Sequence, residues 1–152
     1  MKKLLSIIAI ALIGAFVLSS CNNEYETEPL KTVNVSGEVK ADLSMTSAPM
    51  SVASAKLIFR IDSKELCAKP AGDGYTHTNL QYEVDVFNGR YSVDLPAIKD
   101  DVSVTIIPVA FKANQVQPDN SQKEKVFESN NIPLTIYEGG VFYQDVTYQS
   151  VN

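Results

Sequence analysis

The chain changes its hydrophobic rhythm once. Leu4 to Val17 is a nearly unbroken apolar run, interrupted by Ser6 and Gly14, whereas the segments after Cys21 alternate apolar with polar. The run follows Lys2 and Lys3 and gives way to Leu18-Ser19-Ser20-Cys21. Charge, apolar core and small residues, in that order, describe a secretory signal peptide. The run is shorter than the ~20 apolar residues that a membrane-spanning helix needs. Asn22 to Leu30 is polar, acidic and aperiodic, which reads as a tether. The expected organisation is a signal peptide at 1–20, a cysteine and acidic tether at 21–30, and one domain at 31–152.

The domain is written in strand period. Val33, Val35, Val39, Ala41 and Leu43 alternate with polar residues, and Gly37 falls in the apolar phase, where a bulge or a close backbone approach is expected. Ser44 to Ser54 reads as a loop. Leu57, Phe59 and Ile61 mark a second strand, and Leu80, Tyr82, Val84 and Val86 a third, running into Asn88-Gly89. That dipeptide is the strongest short hairpin signal. A two-residue turn there sets Val86 against Tyr91, Val84 against Val93 and Tyr82 against Leu95, placing six apolar residues on one face. Val102, Val104 and Ile106 open another strand, and the phase reverses after Ile107-Pro108 to continue in Val109 and Phe111. Asn114 to Lys125 reads as a polar loop, Val126-Phe127 as a short pairing segment, and Ile132 to Ile136 as a strand. A three-residue turn at Glu138-Gly139-Gly140, with a glycine at positive φ, is expected to set Ile136 opposite Phe142 and Ile132 opposite Val146.

No helical period survives after Cys21, so the expected class is all-β. The turn spacing predicts a single antiparallel β-sandwich of about seven strands, immunoglobulin-like or prealbumin-like. Val35-Ser36-Gly37-Glu38-Val39, Ala55-Lys56-Leu57-Ile58-Phe59 and Asn88 to Pro96 resemble the prealbumin-like and carboxypeptidase-regulatory-like sandwiches. Leu18-Ser19-Ser20-Cys21 resembles the lipobox of bacterial lipoproteins. That resemblance implies a diacylglyceryl thioether on Cys21, cleavage before it and acylation of the new amino group. Glu24, Glu26 and Glu28 after the cysteine resemble the surface-export signal of Bacteroidetes lipoproteins. As a whole the chain is similar to small Bacteroidetes outer-membrane lipoproteins, which implies a fold and a location, facing either the cell surface or the periplasm, but no activity.

Composition narrows the partners. The formal charge is -5, and removing Lys2 and Lys3 makes it more negative. Such a surface does not suit nucleic acid, whose phosphates call for Lys and Arg. Membrane attachment therefore falls to the lipid on Cys21. Of the two cysteines, Cys67 is left over once Cys21 is acylated, so no disulfide framework is expected. The absence of tryptophan disfavours an indole-built glycan platform, but seven tyrosines remain.

Three groups are candidates for chemistry. Cys67 and His77 share the irregular stretch from Ser63 to Thr78, where a thiol and an imidazole suggest an enzyme or an inhibitor loop, although no third orienting residue accompanies them. Glu83 is expected opposite Asp94 in the Asn88-Gly89 hairpin, with Asp85 along the same outward face. Like charges directly opposite one another destabilise unless water or a cation relieves them, which would suit calcium. Nothing in the sequence calls for a cofactor. The leading expectation is a non-catalytic binding or interaction module. A glycan-binding accessory protein is the first alternative, and an enzyme or inhibitor using residues 63–78 is the second.

Overall fold

The computed structural model describes residues 30–67 and 76–151. Residues 1–20, expected to be a signal peptide, and Cys21, Glu24, Glu26, Glu28 and Tyr75 lie outside those residues. The strands are β1 (Lys31–Ala41), β2 (Met50–Ser51), β3 (Ser54–Asp62), β4 (Asn79–Phe87), β5 (Arg90–Ala97), β6 (Val102–Pro108), β7 (Phe111–Val116), β8 (Gln122–Glu128), β9 (Ile132–Ile136), β10 (Phe142–Tyr143) and β11 (Val146–Val151). Among the described residues the only helical element is a 3-10 turn at Ser63–Leu66, capped by the Asp62 carboxylate on the Lys64 amide at 3.0 Å. The all-β expectation therefore holds.

The seven-strand antiparallel sandwich does not. The strands form one curled, mixed half-barrel sheet in the order β7-β8-β11-β1-β5-β4-β3-β6-β9, with β2 and β10 added on β1. The departure begins at Asn88-Gly89. Both residues take positive φ, 51° and 73°, as a two-residue hairpin turn requires. Yet β4 and β5 pair only at Phe87 and Arg90. The expected pairs Val86–Tyr91, Val84–Val93 and Tyr82–Leu95 do not form. Val84 lies opposite Leu57 on β3, whereas Tyr91, Val93 and Leu95 lie opposite Gly37, Val35 and Val33 on β1. Groups of the turn bond outward instead: Gly89 N–H donates to Val52 O at 2.7 Å, Asn88 N–H to Ala53 O at 3.1 Å, and Gly89 O accepts from Val39 N–H at 2.8 Å. Strong ladders on either side pull the two strands apart, and the hairpin becomes a corner.

Around that corner the two limbs share one core. The ring of Phe59 on β3 lies 5.6 Å from that of Tyr91 on β5, and the Tyr148 hydroxyl on β11 donates to Val109 O at 3.1 Å. Phe111 stacks on Phe127 at 5.3 Å and meets Tyr148 edge-on at 5.0 Å. Leu57, Phe59, Ile61, Ile106, Phe127, Ile136 and Tyr148 are wholly buried. Each large apolar side chain contributes about 1.5–3 kcal/mol on burial. The reversal of phase after Ile107-Pro108 marks the place where the chain leaves β6 in one limb to become β7 in the other.

Two further expectations fail. Asn114 to Lys125 is not a loop. It supplies the end of β7 and the start of β8, joined by a turn in which Asn120 takes φ 62° and the Asp119 carboxylate accepts from both the backbone and the hydroxyl of Ser121. The strands are hard to see because their inward position is taken by Gln115, buried at 2% exposure with its amide donating to Asp42 O and Ser150 Oγ. Nor do β9 and β10 form a hairpin. Ile136 lies opposite Val102 on β6, and β10 crosses to run parallel beside β1, with Val35 opposite Phe142. Gly139 does take positive φ, at 80°.

The parallel seam depends on Gly37. Its missing side chain admits the Gln144 carbonyl, which also accepts from the Tyr91 hydroxyl at 2.6 Å. Burial, followed by the Asp145 charge, pushes the Tyr91 phenol well above its usual range, so it remains a donor. A Cβ at position 37 would overlap that carbonyl oxygen, which is backbone and cannot swing aside. Gly37→Ala should therefore destabilise by about 3 kcal/mol or more. Gly139→Ala, which meets no neighbouring atom but keeps its positive φ, should cost only about 1 kcal/mol. Chemical denaturation of both variants checks the ranking, and equal costs would contradict it.

Candidate functional site

The carboxylates expected to face one another are separated by the opening of the hairpin. Glu83 lies opposite Ile58 and pairs with Lys56 Nζ at 2.7 Å, while Asp85 is in register with Lys56. Asp94 lies opposite Asn34 on β1 and accepts its side-chain amide at 2.9 Å. All three face solvent, as their alternation requires, but Glu83 and Asp94 are not neighbours across a ladder. Among the described residues no group of three His, Cys, Asp or Glu side chains is placed to hold a metal ion.

The stretch from Ser63 to Thr78 is closed at its stem. Ser63 N–H donates to Thr78 O, and Thr78 N–H to the Ser63 hydroxyl, both at 2.9 Å. Cys67 is exposed and its thiol donates to Ser63 O at 3.3 Å. His77 is half-buried, and its Nε2 meets no hydrogen-bond partner among the described residues. The residues between them, 68–75, lie outside the described part of the chain.

The richest surface is one that the residue types alone did not single out. Along β10 and β11 the side chains alternate: Val146 and Tyr148 are buried, whereas Tyr143, Asp145, Thr147 and Gln149 face out. This outward row borders three depressions. One of about 260 Å³ lies over Gly37 and is lined by Ser36, Glu38, Arg90, Tyr91 and Tyr143. One of about 480 Å³ runs between the row and the β8–β9 connection, with Glu128, Asn130 and Ile132 on the far wall. The third, about 420 Å³, lies beside Asp42 and Pro49, and Thr147 and Gln149 line it as well.

Local chemistry fixes the upper end of the row. The Asp145 carboxylate accepts from Glu38 N–H at 2.8 Å, replacing a backbone partner where β10 gives way to β11. Glu38 pairs with Lys40 at 2.7 Å, and this hydrogen bond is the main cause that raises the lysine pKa. Tyr143 stands 63% exposed. Partial desolvation and then its hydrogen bond to Asp145 hold its phenol above the ordinary value. Next along the same face, Asn34 donates to Ser92 Oγ at 2.8 Å as well as to Asp94. An aromatic plate thus stands among planar amides, carboxylates, hydroxyls and a guanidinium. Of the other tyrosines, Tyr91 and Tyr148 are core, Tyr82 is half-buried and Tyr137 is exposed. The alternation of Val141 to Tyr148 was the one sequence signal that could have identified the row.

No protein-family model matches the chain, and no curated protein matches it. Among solved structures it is similar to "a putative carbohydrate binding protein" from Pseudomonas aeruginosa, at 13% identity and a TM-score of 0.40, over 82% of this chain and 92% of that one. A likeness at this level bears on neither family nor ligand.

The separation of Glu83 from Asp94 has a thermal consequence. Calcium at millimolar concentration should leave Tm unchanged, and Asp94→Asn should respond as the parent does. A saturable rise in Tm, abolished by Asp94→Asn, would mean that the two carboxylates meet after all.

Proposed function

We propose that this protein is a non-catalytic binding module, held at the outer membrane by lipid on Cys21, that takes a glycan chain along the outward row of β10 and β11. The observation that carries the reading is Tyr143, an exposed aromatic plate continued by Asp145, Thr147 and Gln149 into an open polar groove. A sugar ring offers C–H faces that pack on a tyrosine ring and hydroxyls that both donate and accept. Carboxylate, amide and hydroxyl side chains along the groove supply the complementary groups. A groove this open encloses little of a ligand, which favours weak binding, on the order of 10 μM to 1 mM. Orientation toward the cell surface or toward the periplasm fits the reading equally.

Titration calorimetry against a panel of neutral soluble polysaccharides tests it. At least one should bind saturably, and Tyr143→Ala should weaken that binding roughly tenfold without lowering Tm. Tyr143→Phe should keep most of it, because the ring face is retained. Equal affinity of Tyr143→Ala and the parent, or no binding across the panel, would remove the glycan reading. A second reading has its own support: among the described residues β10 pairs only with β1, so one edge of residues 142–143 has no strand neighbour. An extended segment of a protein partner adding there would be blocked by N-methylation or proline at the edge rather than by loss of the Tyr143 ring.

A further inference from the structure

The end of the domain where the chain enters carries exposed apolar side chains that the outward row does not use. Leu30 is 52% exposed, Tyr137 48% and Val141 88%. They lie at one pole. Lys31 pairs with the Glu138 carboxylate, Glu138 N–H donates to Ile98 O at 2.7 Å, and Gly140 N–H donates to Tyr137 O at 3.2 Å. Tyr137 is held upright by an edge contact with Phe142 at 5.2 Å. The 137–140 turn, closed by that last bond, therefore brings Val141 out at the same pole as Tyr137, by the strand end from which Leu30 emerges.

We infer that this pole rests in the headgroup region of the bilayer, so that the protein touches its membrane through Leu30, Tyr137 and Val141 as well as through its lipid. The inference rests on the proposed anchor at Cys21. That residue precedes Leu30 by nine positions, a span of at most roughly 30 Å. That short span ties the pole at Leu30, where the anchored chain joins the domain, to the bilayer. Apart from Tyr143 in the outward row, the other exposed apolar residues, Met45, Met50, Phe87 and Val151, belong to the far end, near Ala41 and Tyr148. An eleven-residue strand separates the two ends, roughly 35 Å. Bringing the far end down would ask a link of at most roughly 30 Å to span the roughly 35 Å of the domain, and it falls short. A tyrosine flanked by aliphatic side chains suits the interface, where one end of the ring is apolar and the other wet. Among the described residues Lys31, Lys64 and Lys99 stand at this end with Asp62, Glu65, Asp100, Asp101 and Glu138, which leaves it without a positive excess. The surface it fits is thus zwitterionic, and anionic lipid should not strengthen the contact.

The chain lacks tryptophan, so one substituted indole is a unique reporter. The full lipidated protein carrying Val141→Trp or Phe87→Trp is reconstituted into phosphatidylcholine vesicles with brominated acyl chains. Mass spectrometry of the N-terminal peptide and vesicle flotation confirm the anchor in each sample. The indole at position 141 should be blue-shifted on reconstitution and quenched roughly twofold or more beyond that at 87. Replacing part of the phosphatidylcholine with phosphatidylglycerol should leave the difference unchanged or smaller. Equal quenching at the two positions in a floated, acylated protein overturns the inference while the anchor stands, and stronger quenching at 87 means that the domain sits inverted. An N-terminal peptide without acyl groups, in protein that does not float, overturns the anchor and this inference together.

Discussion

The contact on which this fold depends is a backbone carbonyl lodged where a side chain is missing. Gln144 O fills the space under Gly37 and is held there by the buried Tyr91 hydroxyl. On one flank Gln144 N–H donates to Ser36 O, and on the other Glu38 N–H is satisfied by the Asp145 carboxylate. A break between two short strands would ordinarily leave polar backbone groups unpaired inside the sheet, at about 1–3 kcal/mol each. Here each group named has a partner, and the C-terminal segment can lie parallel to β1 for most of its length.

β1 consequently carries almost everything. It pairs with β5 and β2 along one edge, and with β10 and β11 along the other. Its inward residues Val33, Val35, Val39 and Ala41 are buried, while Asn34, Ser36, Glu38 and Lys40 form the floor of the outward face. The same seam that closes the core therefore displays Tyr143 and aligns it with Asp145, Thr147 and Gln149. Stability and presentation of the surface are not separable here. The glycine that admits Gln144 on the inside also lines the depression beside Tyr143 on the outside.

Local patterns in the sequence were informative wherever one face of a strand is buried. Alternation located β1, β3, β4, β5, β6 and β9, placed Gly37 in the buried phase, and foresaw positive φ in the turns at Asn88-Gly89 and Gly139. Pairing was a different matter. A turn dictates the register of its first pair, and Phe87 does face Arg90, but it does not say how far the ladder runs when both strands have better partners elsewhere. The separation of Glu83 from Asp94 follows from that. β7 and β8 were obscured by Gln115, a buried polar residue whose amide bonds to Asp42 and Ser150, sites far away in sequence. The parallel placement of β10 and β11 was illegible for the same reason, since no short-range rule prefers it over a hairpin. The outward row of the candidate site could be seen as an alternation, but what made it a site was its position beside depressions that only the folded chain creates.

Native-state hydrogen exchange at two amides tests the central contact most directly. If the Gly37–Gln144 seam closes the fold, the amides of Gln144 and Glu38 exchange only through global unfolding, with the same free energy as those of Val35 and Val39 at the centre of β1. Exchange of Gln144 and Glu38 by local opening, orders of magnitude faster than at Val35 and Val39, would contradict it and leave β10 and β11 as a loosely docked tail.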